Sequence, residues 1–130
     1  MLYLELLCAT MFLDTFWMWL MGTWYSEQLR EVDITPTDSP LSLWALGFYL
    51  VWPLAIYFFV LQPLLDWKNT LMRSLVLGWS VHASYNFTNL TTLQGWPRNI
   101  AMITMLWGVT STATISLLFR SCRMIPFRSG

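Results

Sequence analysis

A single carboxyl group sits deep in an apolar run of this chain. It belongs to Asp14, within LYLELLCATMFLDTFWMWLMG. Placing a carboxylate at the centre of a hydrocarbon slab costs ~2.5–3.5 kcal/mol on insertion scales. Such a group should face other helices and find a partner there, or stay protonated. The candidates are His82, Asn86 and Asn89, which lie on one helical stripe at i, i+4 and i+7, and Thr104 further on. Tyr85 and Thr88 flank that stripe. Two kinds of role suit the group. One is chemical: a proton or cation relay, or an acid–base pair of Asp14 and His82. The other is structural: a hydrogen-bond hub joining helices. As a metal site the cluster is poor, with one His and no second soft ligand. No metal or cofactor is expected. Asn86-Phe-Thr88 and Asn89-Leu-Thr91 spell glycosylation sequons, but inside an apolar block they read as chance.

The elements that must hold these residues are four apolar blocks, about 1–22, 41–65, 69–93 and 97–119. Each approaches the ~20 residues that a helix needs to cross a ~30 Å hydrocarbon core. The expected fold is therefore all-α, an integral membrane bundle of four transmembrane helices in a single domain over residues 1–130. Block 1 reads as a retained helix and not as a cleaved leader, because Glu5 stands where a leader carries positive charge. The loop 23–40 holds most of the acids and the turn-prone run TPTDSP, and residues 25–32 suit a short interfacial helix ended by Pro36 and Pro40. Block 2 carries no charge; Pro53 predicts a kink and Pro63 an end. A tight turn is expected at DWKN, 66–69. The break at 94–97 is short, so blocks 3 and 4 are antiparallel neighbours. In block 4, Thr104, Gly108 and Thr112 recur every fourth residue, a small-xxx-small stripe for close helix packing. Blocks 1, 3 and 4 are expected to hold the polar interior, with block 2 turned mostly to lipid or a partner.

Composition agrees with a bilayer as solvent. Hydrophobic residues make up 56% and charged residues 11%, against about 25% charge in an ordinary soluble domain. Several of the nine Trp, including Trp24, Trp44, Trp67 and Trp96, fall near block ends, where indoles prefer the headgroup layer. Others, Trp17, Trp52 and Trp107 among them, read as packing or lipid-facing bulk. Net charge is zero, and no basic surface for nucleic acid is expected. Cys8 and Cys122 are expected as free thiols. Lys68, Arg73, Arg120, Arg123 and Arg128 fall on one side of a four-span topology, Arg30 and Arg98 on the other. The positive-inside rule then puts both termini, and the basic tail 120–130, on the cytoplasmic or mitochondrial matrix side. Glu5 is placed to snorkel to that surface or to pair with Arg120.

Three motifs carry a resemblance: LDTFWMW at 13–19, SYNFTNLTTLQGWP at 84–97 and MLWG at 105–108. The chain resembles an uncharacterised family of small four-helix membrane proteins common in bacteria, with LD-x-x-W, YD-x-TNL-x-T-x-x-GWP and D-x-x-WG motifs. The resemblance spans residues 10–119. It implies three intramembrane acids, of which this chain keeps Asp14. Asn86 and Thr104 occupy the other two positions. That pattern suits a scaffold that kept its shape and lost its carboxylate chemistry.

The function expected is that of a structural or accessory subunit of a larger membrane assembly, in contact with lipid and with other membrane subunits. No soluble substrate is identified. The alternatives are a small transporter or proton/cation channel and, after it, a lipid-acting membrane enzyme.

Overall fold

The computed structural model describes residues 2–34, 43–62 and 65–124, and among these the chain is all-helical. Helix α1 runs Leu2–Arg30, α2 runs Leu43–Ile56 and continues as a π-helical turn Tyr57–Leu61, α3 runs Trp67–Thr92, and α4 runs Arg98–Met124. Pro36, Pro40, Pro63 and the tail beyond Met124 lie outside the described residues, as does the Trp44 side chain.

Each boundary has a local cause. The expected break after Gly22 does not occur, and α1 continues through Arg30 with no separate interfacial helix. It stops in a Schellman motif. The Ile34 N–H donates to the Leu29 carbonyl at 2.9 Å and the Asp33 N–H to the Arg30 carbonyl at 3.1 Å. Asp33 takes the left-handed position that closes the motif, at φ 58°. Helix α3 starts two residues earlier than expected, because Asp66 caps it by accepting from the Asn69 N–H at 2.9 Å. The turn between α3 and α4 depends on Gly95 at φ 83°.

Helices α3 and α4 pack along their lengths, and α1 packs on both α2 and α4. The two ends of the bundle are each tied together. At one, the Gly95 backbone lies against Val32. At the other, Arg120 Nε on α4 donates to the Leu65 carbonyl at 3.0 Å. Arg120 is thus held by the turn before α3, not by Glu5.

The apolar core joins Leu6 of α1, Trp52, Ile56, Val60 and Leu61 of the second helix, and Ile115 of α4. The expectation that the second helix turns mostly outward is therefore corrected. One face of it forms the middle of the core, while Leu50, Val51 and Phe59 on its other face are exposed. Large apolar side chains also cover the outside of α1, with Phe12 75% and Trp19 77% exposed. An apolar exterior of this extent does not suit water.

Two helices, α1 and α4, are long and apolar enough to cross a membrane. The stretch Ala45–Leu61 is apolar but shorter. Helix α3, at 26 residues, is long enough but richer in polar side chains.

Candidate functional site

Asp14 does not meet the α3 stripe. Its carboxylate is held by aromatic donors from two other helices. The Tyr49 hydroxyl on α2 donates to Oδ2 at 2.8 Å, and the Trp107 indole on α4 donates to Oδ1 at 3.3 Å. Both oxygens are therefore engaged, and one residue ties α1 to α2 and to α4. One helical turn on, Trp17 lies on the same face of α1 and stacks on Trp107, with ring centroids 4.3 Å apart and planes 7° from parallel. The Trp17 indole N–H donates in turn to the Tyr25 hydroxyl at 3.1 Å. The result is a continuous polar and aromatic seam across the α1 face.

Sequence reasoning missed Tyr49 and read Trp107 as packing or lipid-facing bulk, not as a donor to Asp14. The signals were faint. Tyr49 is one of only two hydroxyl-bearing side chains in the 43–61 stretch, and Trp107 belongs to the MLWG motif.

His82, Asn86 and Gly78 form a different site, at the α3–α4 crossing. A Cβ on Gly108 would fall within the His82 imidazole, and one on Gly78 would lie 2.5 Å from the Gly108 carbonyl oxygen. The two glycines let the helices approach, and the imidazole fills the space over Gly108. His82 Nδ1 lies 3.1 Å from the Gly78 carbonyl, to which it donates. Phe48 and Trp52 meet the ring edge-on from α2. The Trp52 indole donates to Thr112 Oγ1 at 3.3 Å, and that hydroxyl donates to the Gly108 carbonyl at 2.6 Å. Gly108 and Thr112 both lie at this crossing. Their facing stripe on α3 is Thr70, Ser74, Gly78, His82 and Asn86, with a constant step of four. Thr70, Ser74, Gly78 and Asn86 are all buried.

The remaining expected members disperse. Tyr85 is exposed and meets the Trp96 ring edge-on at 6.2 Å. Asn89 is half-buried. Thr104 donates to the Ile100 carbonyl of its own helix at 2.7 Å. Asn86 is fully buried; its Nδ2 donates to the His82 carbonyl at 2.9 Å, while its Oδ1 has no hydrogen-bond partner among the described residues. Both cysteines are free and exposed. Among the described residues no group of three His, Cys, Asp or Glu side chains could hold a metal ion.

What these residues define is an all-helical protein with an apolar exterior and an interior of interhelical hydrogen bonds. The family described as Predicted membrane protein (DUF2177) matches residues 1–119, and the chain belongs to this family of unknown function. Comparison with curated proteins and with solved structures found no match.

Proposed function

We propose that this protein is a single-domain, four-span membrane scaffold that acts as an accessory subunit by contact with other membrane proteins. One observation carries the reading: both oxygens of the Asp14 carboxylate accept hydrogen bonds from side chains of neighbouring helices, Tyr49 and Trp107. A carboxylate held in this way works as a clasp between α1, α2 and α4. The other interior polar groups work similarly, joining α2 to α4 through Trp52 and Thr112 and seating His82 over Gly108.

Four crossings are supported for the two helices that are less plainly transmembrane. Helix α2 with its π turn covers 43–61, close to one hydrocarbon thickness of ~30 Å. Helix α3 hides much of its polarity within itself. The hydroxyls of Ser84, Thr88, Thr91 and Thr92 each donate to a carbonyl four residues back, at 2.6–2.8 Å. Internally bonded hydroxyls of this kind are tolerated in a membrane helix. The distribution of Lys and Arg favours both termini on the cytoplasmic or matrix side.

The test has two arms. The protein extracted in mild detergent should migrate as a defined multi-subunit particle. Purified protein in liposomes should show no proton or cation flux, and Asp14→Asn should not change that. A flux present in the wild type and lost in Asp14→Asn would replace the scaffold by a transporter or channel.

A further inference from the structure

The second helix ends in an unusual way. By sequence, Pro63 carries no N–H to offer the Phe59 carbonyl four residues earlier. The helix ends in a π turn, with the Gln62 N–H donating to the Tyr57 carbonyl at 2.8 Å. Arg73 reaches across from α3 and donates from Nη1 to the Phe59 carbonyl at 3.2 Å. Beside this contact lies a cavity of about 500 Å³, lined by Phe59, Met72, Arg73, Val76, Leu77 and Ser80. Met72, Val76 and Ser80 form its floor along one stripe of α3, and the lining is almost wholly apolar up to Arg73. Volumes of this size are typical of small-molecule sites.

We propose that this groove holds one acyl chain of an anionic glycerophospholipid, with the lipid phosphate on the Arg73 guanidinium. Three observations identify the occupant. First, the groove opens on the outer surface of the bundle, where Phe59, Met72 and Val76 are 64%, 59% and 61% exposed. In the four-span reading, on which this proposal rests, that surface faces acyl chains. Second, Arg73 is exposed, and among the described residues its one hydrogen-bond partner is the Phe59 carbonyl. A guanidinium carries five N–H donors, so it keeps a fork free for phosphate oxygens. Third, the depth is correct for a lipid. Side chains on a helix tilt towards its N-terminus, and α3 begins at Trp67, so the guanidinium tilts towards the headgroup layer. The apolar floor continues inward to Ser80, about 10 Å further along the helix axis. Lys68 and Arg120 lie at the same end of the bundle. Their charge favours a net-negative headgroup over a zwitterionic one.

The experiment uses full-length protein reconstituted in vesicles of equal parts phosphatidylglycerol and phosphatidylcholine. After extraction in mild detergent, the lipids retained are counted by native mass spectrometry. The wild type should keep one phosphatidylglycerol in preference to phosphatidylcholine. Arg73→Gln retains a donor for the Phe59 carbonyl but removes the charge, and should reduce that preference roughly fivefold. Arg73→Lys should keep most of it. Val76→Trp leaves every hydrogen bond described for Arg73 in place but fills the groove, and should lower retention of both lipids. If Arg73→Gln does not fold, Val76→Trp decides the question. Unchanged preference in Arg73→Gln, or an unchanged lipid count in Val76→Trp, overturns the proposal. Retention of neither lipid by the wild type overturns it as well, whereas a failure of the four-span reading beneath it is read separately, from the sidedness of single-cysteine labelling.

Discussion

The hydroxyl of Tyr49 donates to the carboxylate of Asp14 across 35 positions of sequence, at 2.8 Å, and joins the second helix to the first. The same carboxylate accepts from Trp107 at 3.3 Å. A polar group that would be costly in lipid is thereby turned into a link among three helices.

That link has a measurable strength. Interhelical side-chain hydrogen bonds in membranes average about 0.6 kcal/mol and reach about 1.7 kcal/mol. At 2.8 Å the Asp14–Tyr49 bond has close to the ideal O–H···O length, so the pair is placed in the upper half of that range. A double-mutant cycle of Asp14→Ala and Tyr49→Phe, read by reversible unfolding in mixed micelles, should give a coupling of about 1 kcal/mol. Purely additive effects would show that the bond contributes nothing.

The α3–α4 crossing makes a contrasting set of predictions for glycine. Gly108→Ala drives a methyl group into the His82 ring, and Gly78→Ala meets the Gly108 carbonyl and Thr112. Each should destabilise by about 1–3 kcal/mol, the range for overpacking. Gly22 and Gly47 have open space where a Cβ would go. Gly22→Ala and Gly47→Ala should be neutral or stabilising by up to about 1 kcal/mol. The same unfolding assay separates the two pairs. Equal effects at all four positions would mean the helices do not meet at these glycines.

Asn86 gives an unusual expectation for a buried polar residue. Its amide bonds only to a carbonyl of its own helix, and its Oδ1 is without a partner among the described residues. Replacing a polar group that is poorly satisfied by an apolar one of similar size is often neutral or better. Asn86→Leu should therefore change stability by less than about 1 kcal/mol, or increase it. A much larger loss would mean that Oδ1 holds something essential.

How much of this was legible in the sequence differs between the frame and the site. Apolar block lengths and the 94–97 break gave the helix count and the antiparallel pairing of the last two helices. Of the Thr104, Gly108, Thr112 stripe, Gly108 and Thr112 lie beside Gly78 of α3, whereas Thr104 bonds within its own helix. Boundaries were missed where a single cap decided them: Asp66 started α3 early, and Asp33 let α1 run on to Arg30. The partners of Asp14 were missed for a different reason. Amides, imidazole and hydroxyls on the polar block were the obvious donors, but helix position decides which donors can reach. Tyr and Trp are long enough to bridge from α2 and α4, and both carry one polar atom on a large apolar body. The polar stripe on α3 instead turned to α4, because Gly78 and Gly108 bring those two backbones together.

The central claim is a chain that crosses the membrane four times with alternating ends. Labelling by a membrane-impermeant maleimide tests it most directly, in a background of Cys8→Ser and Cys122→Ser. Single cysteines at Glu27 and Gln94 should react from one side of sealed membranes. Single cysteines at Lys68 and at the restored position 122 should react only after the membrane is opened, or only in vesicles of inverted orientation. Labelling of positions 68 and 94 from the same side would contradict the account.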